Sequence, residues 1–165
     1  MFWLLVAPSL AATLDVSSSG TYSTIQSAIT ASTSGDTITV AAGTYRECLD
    51  LGGKDLTITG AGSSTVTLDG GSCTGDAIEI DQGETATISG LTIDNGSDRA
   101  VTVDSASVVT FDDVVIENSG STASSGSYAD GGGMSIGGGS YVEISDSLFD
   151  SNTADYGGAI YIEDA

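Results

Sequence analysis

Residues 77–103 read AIEIDQGETATISGLTIDNGSDRAVTV, and a spacing within this stretch decides the fold. Ile78 and Ile80 flank one acidic residue, and the same apolar alternation returns 23 residues later at Val101 and Val103. The series continues at Met134 after 33 residues and at Ile160 after 26 more. Two other apolar series share the steps of 23 and 33 residues: Ile88, Phe111 and Ile144, and Ile93, Ile116 and Phe149. Three series in step indicate an internal repeat.

A period near 23 residues that contains several short strands is typical of a solenoid. Side chains alternate along each strand, so Ile78 and Ile80 point inward while Glu79 points outward. A β-sandwich also uses short alternating strands, but it is not expected to hold one register in three series. We therefore predict an all-β, right-handed parallel β-helix with coils of about 22–26 residues, stacked about 4.8 Å apart.

Shorter segments complete the predicted coils. The runs 37–40, 56–58 and 66–68 fit the first coils. The long step is explained by residues 119–133, which are rich in Ser and Gly and resemble a coil with about ten extra loop residues. Asn95 and Asn118 lie one period apart and predict a stacked Asn ladder, whereas Asn152 is one residue out of register.

A short helix is predicted before the first coil. Ser23 and Gln26 fit a capping box, and Ile25, Ala28 and Ile29 form one apolar stripe. The helix is expected to end at Gly35 and Asp36 and to cover the unpaired edge of the first coil. The chain then divides into a signal-like leader (1–12), an N-terminal cap (13–36) and β-helix coils (37–165), which we expect to continue beyond residue 165.

The charge is strongly acidic: 23 Asp and Glu face three Lys and Arg, and with no His the formal net charge is −20. Nucleic-acid binding needs Lys and Arg to neutralise phosphates, so no nucleic-acid partner is expected. The acids are interpreted as a solubilising surface. The missing His also excludes Ser-His-Asp and Cys-His catalytic sites.

The first residues predict export. Residues 1–7 are apolar but too short to span a bilayer as a helix, and Ser9 and Ala11 suit signal-peptidase cleavage after Ala11. No later segment is long and apolar enough for a membrane span. We expect an extracellular or cell-envelope location, including the outer membrane surface.

Two cysteines, Cys48 and Cys73, are 25 residues apart, which is about one coil. Stacked neighbours lie close enough for a disulfide, and an even cysteine count in an exported chain favours one. In a cytosolic chain the pair would be two buried thiols. Two cysteines without His make a poor zinc site.

Two stretches resemble known families. Residues 22–29 (YSTIQSAI), with 35–40 (GDTITV) and 43–47 (GTYRE), resemble the N-terminal segment of pectin-lyase-fold proteins, which include pectin methylesterases. This resemblance implies the fold and, by analogy, a polysaccharide ligand. Separately, Phe149 and Asn152 with Gly157, Gly158, Ala159 and Ile160 resemble the FxxN and GGAI motifs of the chlamydial polymorphic outer membrane protein repeat. That resemblance implies an adhesin-like passenger, and residues 130–134 (DGGGM) form a weaker copy.

Few residues are candidates for chemistry. Asp112 and Asp113 are similar to the adjacent acids of polygalacturonases, but strand neighbours point to opposite faces and a turn is the favoured interpretation. Asp94 and Asp98 offer oxygen ligands for calcium, the one cofactor considered, although turns use the same residue types. No catalytic set is predicted.

Two functions remain open at this stage. The first is a non-enzymatic exported or cell-surface β-helix, which acts in adhesion or as a structural passenger and contacts a host surface, a polysaccharide or further coils of its own chain. The second is the N-terminal fragment of a lyase or hydrolase that acts on pectin-like acidic polysaccharide.

Overall fold

The computed structural model describes residues 10–120 and 130–163. It contains short parallel strands and one helix, as the repeat predicts. The helix is α1 (Ile25–Ala31). The strands are β1 (Thr13–Val16), β2 (Thr37–Val40), β3 (Gly43–Arg46), β4 (Leu49–Asp50), β5 (Leu56–Gly60), β6 (Val66–Asp69), β7 (Ile78–Ile80), β8 (Thr85–Asp94), β9 (Val101–Val103), β10 (Val108–Glu117), β11 (Met134–Ile136), β12 (Tyr141–Ser145), β13 (Leu148–Asp150) and β14 (Ile160–Ile162).

The strands form two parallel sheets. Sheet A has nine strands: β1, β2, β3, β5, β6, β8, β10, β12 and β13. Sheet B has five strands in the order β14-β11-β9-β7-β4. Strand β8 pairs with β5 through its first half and with β6 through its second half, so one long bent strand forms two sides of a coil. This arrangement is the predicted parallel β-helix.

The three predicted ladders are present in the strand register. Ile78 pairs with Val101, Val101 with Met134, and Met134 with Ile160. The other ladders are Ile88–Phe111–Ile144 and Ile93–Ile116–Phe149. Ile78, Val101, Ile88 and Phe111 are at most 1% exposed, so these ladders form the apolar centre of the coils.

Residues in the left-handed conformation make the corners of the coils. Gly90 and Asp113 have φ values of 66° and 51°, and each bends its ten-residue strand in the middle. A second corner follows the same strands, where Asn95, Asn118 and Ser151 have φ values between 51° and 62°. Asn tolerates this conformation better than most residues, which explains its recurrence at this position.

The predicted Asn ladder is replaced by contacts between Asn and Asp. The Nδ2 atom of Asn118 donates to Asp94 Oδ1 over 3.0 Å, and Asn95 Nδ2 donates to Asp69 Oδ1 over 3.3 Å. Each Asn therefore reaches back to the acid of the preceding coil. Ser151 occupies the corner in the next coil because Asn152 is one residue out of register.

The start of the solenoid differs from the sequence interpretation. Strand β1 already pairs with β2, so the coil stack begins within the predicted cap rather than at residue 37. The buried residues Ile25, Ala28 and Ile29 of α1 form the predicted apolar stripe. The helix ends earlier than expected, with Ser32 as its C-cap, because the Ser32 N–H bonds the carbonyls of Ala28 and Ile29.

The capping box predicted at Ser23 and Gln26 is wrong. Thr24 is the N-cap, and its side chain accepts a hydrogen bond from the Ser27 N–H. The first two helical N–H groups are instead bound by Glu47, whose two carboxylate oxygens accept from Ile25 and Gln26 over 2.8 Å each. A carboxylate from a later part of the chain therefore supplies the capping that the local sequence was expected to provide.

Candidate functional site

The outer face of sheet B carries the polar residues with the most perturbed environments. The middle residue of each strand points outward, and these residues lie in register across the five strands. From one end to the other they are Asp50, Glu79, Thr102, Ser135 and Tyr161.

Asp76 lies beside this face, just before β7, and its side chain is almost fully buried at 8% exposure. One carboxylate oxygen, Oδ2, accepts from the Thr102 hydroxyl at 2.5 Å and lies 3.5 Å from a guanidinium nitrogen of Arg99. The other oxygen, Oδ1, is buried and has no hydrogen-bond partner among the described residues. A buried oxygen without a partner disfavours the charged form of the group.

Arg99 connects three coils. It precedes β9 as Asp76 precedes β7, so the guanidinium meets the carboxylate of the preceding coil at 3.5 Å. On the other side, Arg99 Nε donates to the backbone carbonyl of Asp130 in the following coil over 2.9 Å. Its side chain keeps 29% exposure, so one part of the guanidinium still faces solvent.

Burial raises the pKa of Asp76, and the negative charge of Asp98 adds to this, while the Thr102 hydrogen bond and the Arg99 charge oppose it. The pKa of Glu79 is also raised, first by burial and then by the charges of Asp76, Asp81 and Asp50. Glu79 lies on the exposed side of the face. It can donate a hydrogen bond when protonated and accept one when charged, whereas Asp76 is shielded from an approaching ligand.

The site was missed by the sequence interpretation, although the coil period contained a signal. Asp76 and Arg99 are separated by the same 23 residues as Ile78 and Val101, which places them side by side on adjacent coils. The period was read only from apolar positions. Applied to charged residues, it pairs one of the three basic residues with an acid.

The structure joins Cys48 and Cys73 by a disulfide, with the two Cα atoms 5.7 Å apart. Cys48 directly precedes β4, and Cys73 lies in the loop between β6 and β7. The bond therefore ties one coil to the next beside the start of sheet B.

The calcium candidates Asp94 and Asp98 stand at the end of β8 and in the turn after it. Asp94 already accepts the Asn118 amide of the next coil, and Asp98 adds to the negative potential at Asp76. Within residues 10–120 and 130–163, no group of three or more acidic or cysteine side chains is placed to hold a metal ion. Calcium at this turn stays a prediction.

The adjacent acids Asp112 and Asp113 are not in a separate turn but at the bend of β10. Both side chains are exposed, since the left-handed conformation of Asp113 breaks the usual alternation. Asp112 accepts from the Ser145 hydroxyl and Asp113 from the Ser63 hydroxyl, each over 2.7 Å. These bonds connect the bend to neighbouring coils.

The FxxN and GGAI residues have structural contacts. Asn152 Oδ1 accepts from the Ser119 N–H over 3.0 Å, while its Nδ2 donates to the Ile116 carbonyl over 2.8 Å. Gly157 has a φ of 60°, and a Cβ there would lie 2.4 Å from the Ile160 carbonyl oxygen. Phe149 is half-buried against the core, and Gly158, Ala159 and Ile160 stack on Gly132, Gly133 and Met134 of the preceding coil.

Several sequence predictions fall outside the described residues. They are the apolar leader run 1–7 and most of the extra loop within 119–133, at 121–129. In the part of the chain that the structure covers, no helix is long and apolar enough to cross a membrane.

Comparisons with known proteins agree on the fold. Residues 76–165, more than half of the chain, match the family described as right handed beta helix region. A pectin methylesterase mutant, solved in complex with a hexasaccharide, is 18% identical with a TM-score of 0.51. The match covers 87% of this chain and 54% of that enzyme, so the chain spans about half its length.

A second solved structure is the pectin methylesterase of Aspergillus niger, which is 17% identical with a TM-score of 0.36 over 96% of this chain and 91% of that one. No curated protein matches the chain in sequence. The parallel coils, the ladder register and the match over residues 76–165 lead to one assignment: the chain belongs to the right-handed β-helix family.

Proposed function

We propose that this chain is an exported or cell-surface β-helix domain that acts in adhesion or as a structural passenger, without catalytic activity. The observation that carries the proposal is the use of Arg99. The one cation on the outer face of sheet B within the described residues binds the Asp76 carboxylate of one coil and the Asp130 carbonyl of another. Its charged groups thus hold coils together.

The coil-to-coil connections elsewhere support the same proposal. A disulfide joins Cys48 and Cys73, and Arg46 Nε bonds Asp69 Oδ2 over 3.0 Å in the next coil. Disulfides persist in oxidising compartments, which supports export. The resemblance of Phe149, Asn152 and residues 157–160 to the polymorphic outer membrane protein repeat supports an adhesin-like passenger.

Export and exposure can be tested on intact cells that produce an epitope-tagged chain. We expect external protease to remove the tag signal without lysis, while a cytoplasmic marker stays intact. A tag that is cleaved only after lysis would contradict a surface location. Beads coated with the purified chain should then adhere to host cells or to immobilised glycans, whereas beads coated with heat-unfolded chain should not.

The alternative is a pectin-acting domain, and Glu79 is the observation that favours it. Its raised pKa and its outward position near Arg99 suit an acid that contacts a sugar. The purified chain should be incubated with methyl-esterified pectin and with polygalacturonate plus calcium. Methanol, reducing ends or unsaturated products that disappear in Glu79→Gln would establish the alternative and overturn the non-enzymatic proposal.

Calcium binding at Asp94 and Asp98 is proposed as a separate, structural property. Calorimetry with calcium, and with EDTA as the control, measures it directly. We expect heat of binding at millimolar calcium that is lost in Asp98→Asn. Equal heats in the two proteins would exclude this turn as the site.

A further inference from the structure

One outer face of sheet A is a regular array of hydroxyl groups. Its first column contains a threonine in five successive strands, which pair in register from β1 to β10. Its second column, two residues further along each strand, has hydroxyls at the three central positions. We call the central six residues the threonine face: Thr37, Thr39, Thr57, Thr59, Thr87 and Ser89. The first column continues to Thr13 and Thr110 at its ends.

The array is not the by-product of one copied repeat. Thr57 follows Thr37 by 20 residues, and Thr87 follows Thr57 by 30, yet each pair is in direct register. The outer column of sheet B, by contrast, changes from Asp50 and Glu79 to a hydroxyl and then to Tyr161. Strand propensity alone favours threonine at any of these outward positions and does not explain why it recurs on one face.

The hydroxyls of the first column are not used by the protein. Within the described residues, those of Thr37, Thr57 and Thr87 have no hydrogen-bond partner, although the three side chains are half-exposed. Outward threonines elsewhere are engaged: Thr92 donates to the Ser63 carbonyl over 2.7 Å, and Thr102 donates to Asp76. The threonine face therefore presents unpaired donors and acceptors at fixed positions.

The threonine face is also free of charge in a chain whose net charge is −20. Acids occur only at its two ends in the second column, where Asp15 accepts from the Thr39 hydroxyl and Asp112 from Ser145. The long step 119–133 lies away from it, after β10. A ligand that meets this face thus contacts a flat surface of methyl and hydroxyl groups.

We propose that the threonine face binds ice, a function separate from adhesion or passenger activity. Adjacent strands repeat about every 4.8 Å, and residues two apart on a strand are about 6.7 Å apart. These spacings resemble the repeats between oxygen atoms on a prism plane of hexagonal ice. A β-branched side chain has few accessible rotamers, so the array is rigid before it meets the crystal. Preorganisation of this kind lowers the entropic cost of binding.

The test is adsorption of the fluorescently labelled, full-length chain to a single ice crystal, together with thermal hysteresis. We expect labelled crystals with altered facets and a measurable gap between freezing and melting temperatures. Thr57→Lys, at the centre of the face, should abolish both. Thr67→Lys is the matched control, since it adds the same charge at an outward position of β6, on another side of the coil.

Circular dichroism and thermal unfolding of both variants establish that each is folded. Hysteresis and adsorption in the unmodified chain that persist in Thr67→Lys and vanish in Thr57→Lys would support the proposal. No adsorption by the unmodified chain, or equal adsorption by the two variants, would overturn it. Binding to crystalline cellulose without binding to ice would also overturn it, because the occupant would be a polysaccharide.

Discussion

At the scale of single residues, two aspartates near sheet edges have opposite environments. The pKa of Asp69 is lowered, first by the Gly71 N–H that bonds its carboxylate and then by Arg46 and Asn95. The pKa of Asp76 is raised by its burial, despite Thr102 and Arg99. The folded protein therefore favours the charged form of Asp69 and the protonated form of Asp76.

Linkage predicts opposite pH dependences for Asp76→Asn and Asp69→Asn. The stability that Asp76 contributes is present below its unfolded pKa and is lost as pH rises through the raised folded value. That of Asp69 is present above its unfolded pKa and is lost as pH falls through the lowered folded value. Urea unfolding of the three proteins from acid to neutral pH measures this.

Relative to the unmodified chain, Asp76→Asn should gain stability as pH rises from about 4, near the usual Asp pKa, whereas Asp69→Asn should lose it. Slopes of the same sign would contradict the assigned environments.

Two glycines with similar backbone angles separate conformational strain from steric overlap. Gly131 and Gly139 have φ values of 65° and 73°. A Cβ at Gly131 would lie 2.6 Å from the Met134 carbonyl oxygen, whereas at Gly139 nothing lies within 4 Å. We expect Gly139→Ala to cost about 1 kcal/mol from the left-handed conformation alone. Gly131→Ala should cost clearly more in urea unfolding, and equal costs would show that the backbone at Met134 moves freely.

At the scale of elements, the ladders could be predicted because an inward apolar side chain must recur once per coil. Ile88, Phe111 and Ile144 keep this spacing even where a coil is lengthened, since added residues enter a loop. Strand β1 was not predicted, because its apolar residues Leu14 and Val16 precede a Ser-rich stretch outside the measured period.

The capping of α1 and the candidate site on sheet B could not be predicted, for a common reason. Both depend on an acid that meets a partner from another coil: Glu47 at the helix N-terminus and Asp76 beside Arg99. Acids in a strongly acidic chain are normally solvated, so their sequence positions do not reveal which ones are buried or engaged. Only the strand register, applied to charged residues, brings Asp76 and Arg99 together.

The disulfide connects elements of successive coils, and its contribution can be measured. Cys48 and Cys73 enclose 25 residues, and a loop of this size limits the unfolded chain by about 3 kcal/mol. We expect reduction to lower the free energy of unfolding by that amount and to match the Cys48→Ala/Cys73→Ala variant. Reductant should leave the double variant unchanged. Alkylation of two free thiols in the exported, unreduced protein would contradict the bond.

At the scale of the whole molecule, the solenoid combines an apolar interior with a strongly acidic exterior. The ladders place Ile, Val, Leu and Phe in the centre, and the outward positions carry most of the 23 acids. Two of the three cations already bind an acid of a neighbouring coil, Arg46 with Asp69 and Arg99 with Asp76. The remaining cation, Lys54, donates to the carbonyls of Ile29 and Thr30 near the end of α1.

This distribution predicts that salt stabilises the protein. Repulsion among the acids opposes the compact state, and it is screened as the Debye length falls from about 30 Å at 0.01 M to about 3 Å at 1 M salt. The urea midpoint should therefore rise over this range of sodium chloride. Neutralising exposed acids, as in Asp15→Asn/Asp112→Asn, should raise the midpoint at low salt and reduce the response to salt. A midpoint that falls with salt would mean that the ion pairs of Arg46 and Arg99 outweigh the repulsion among the acids.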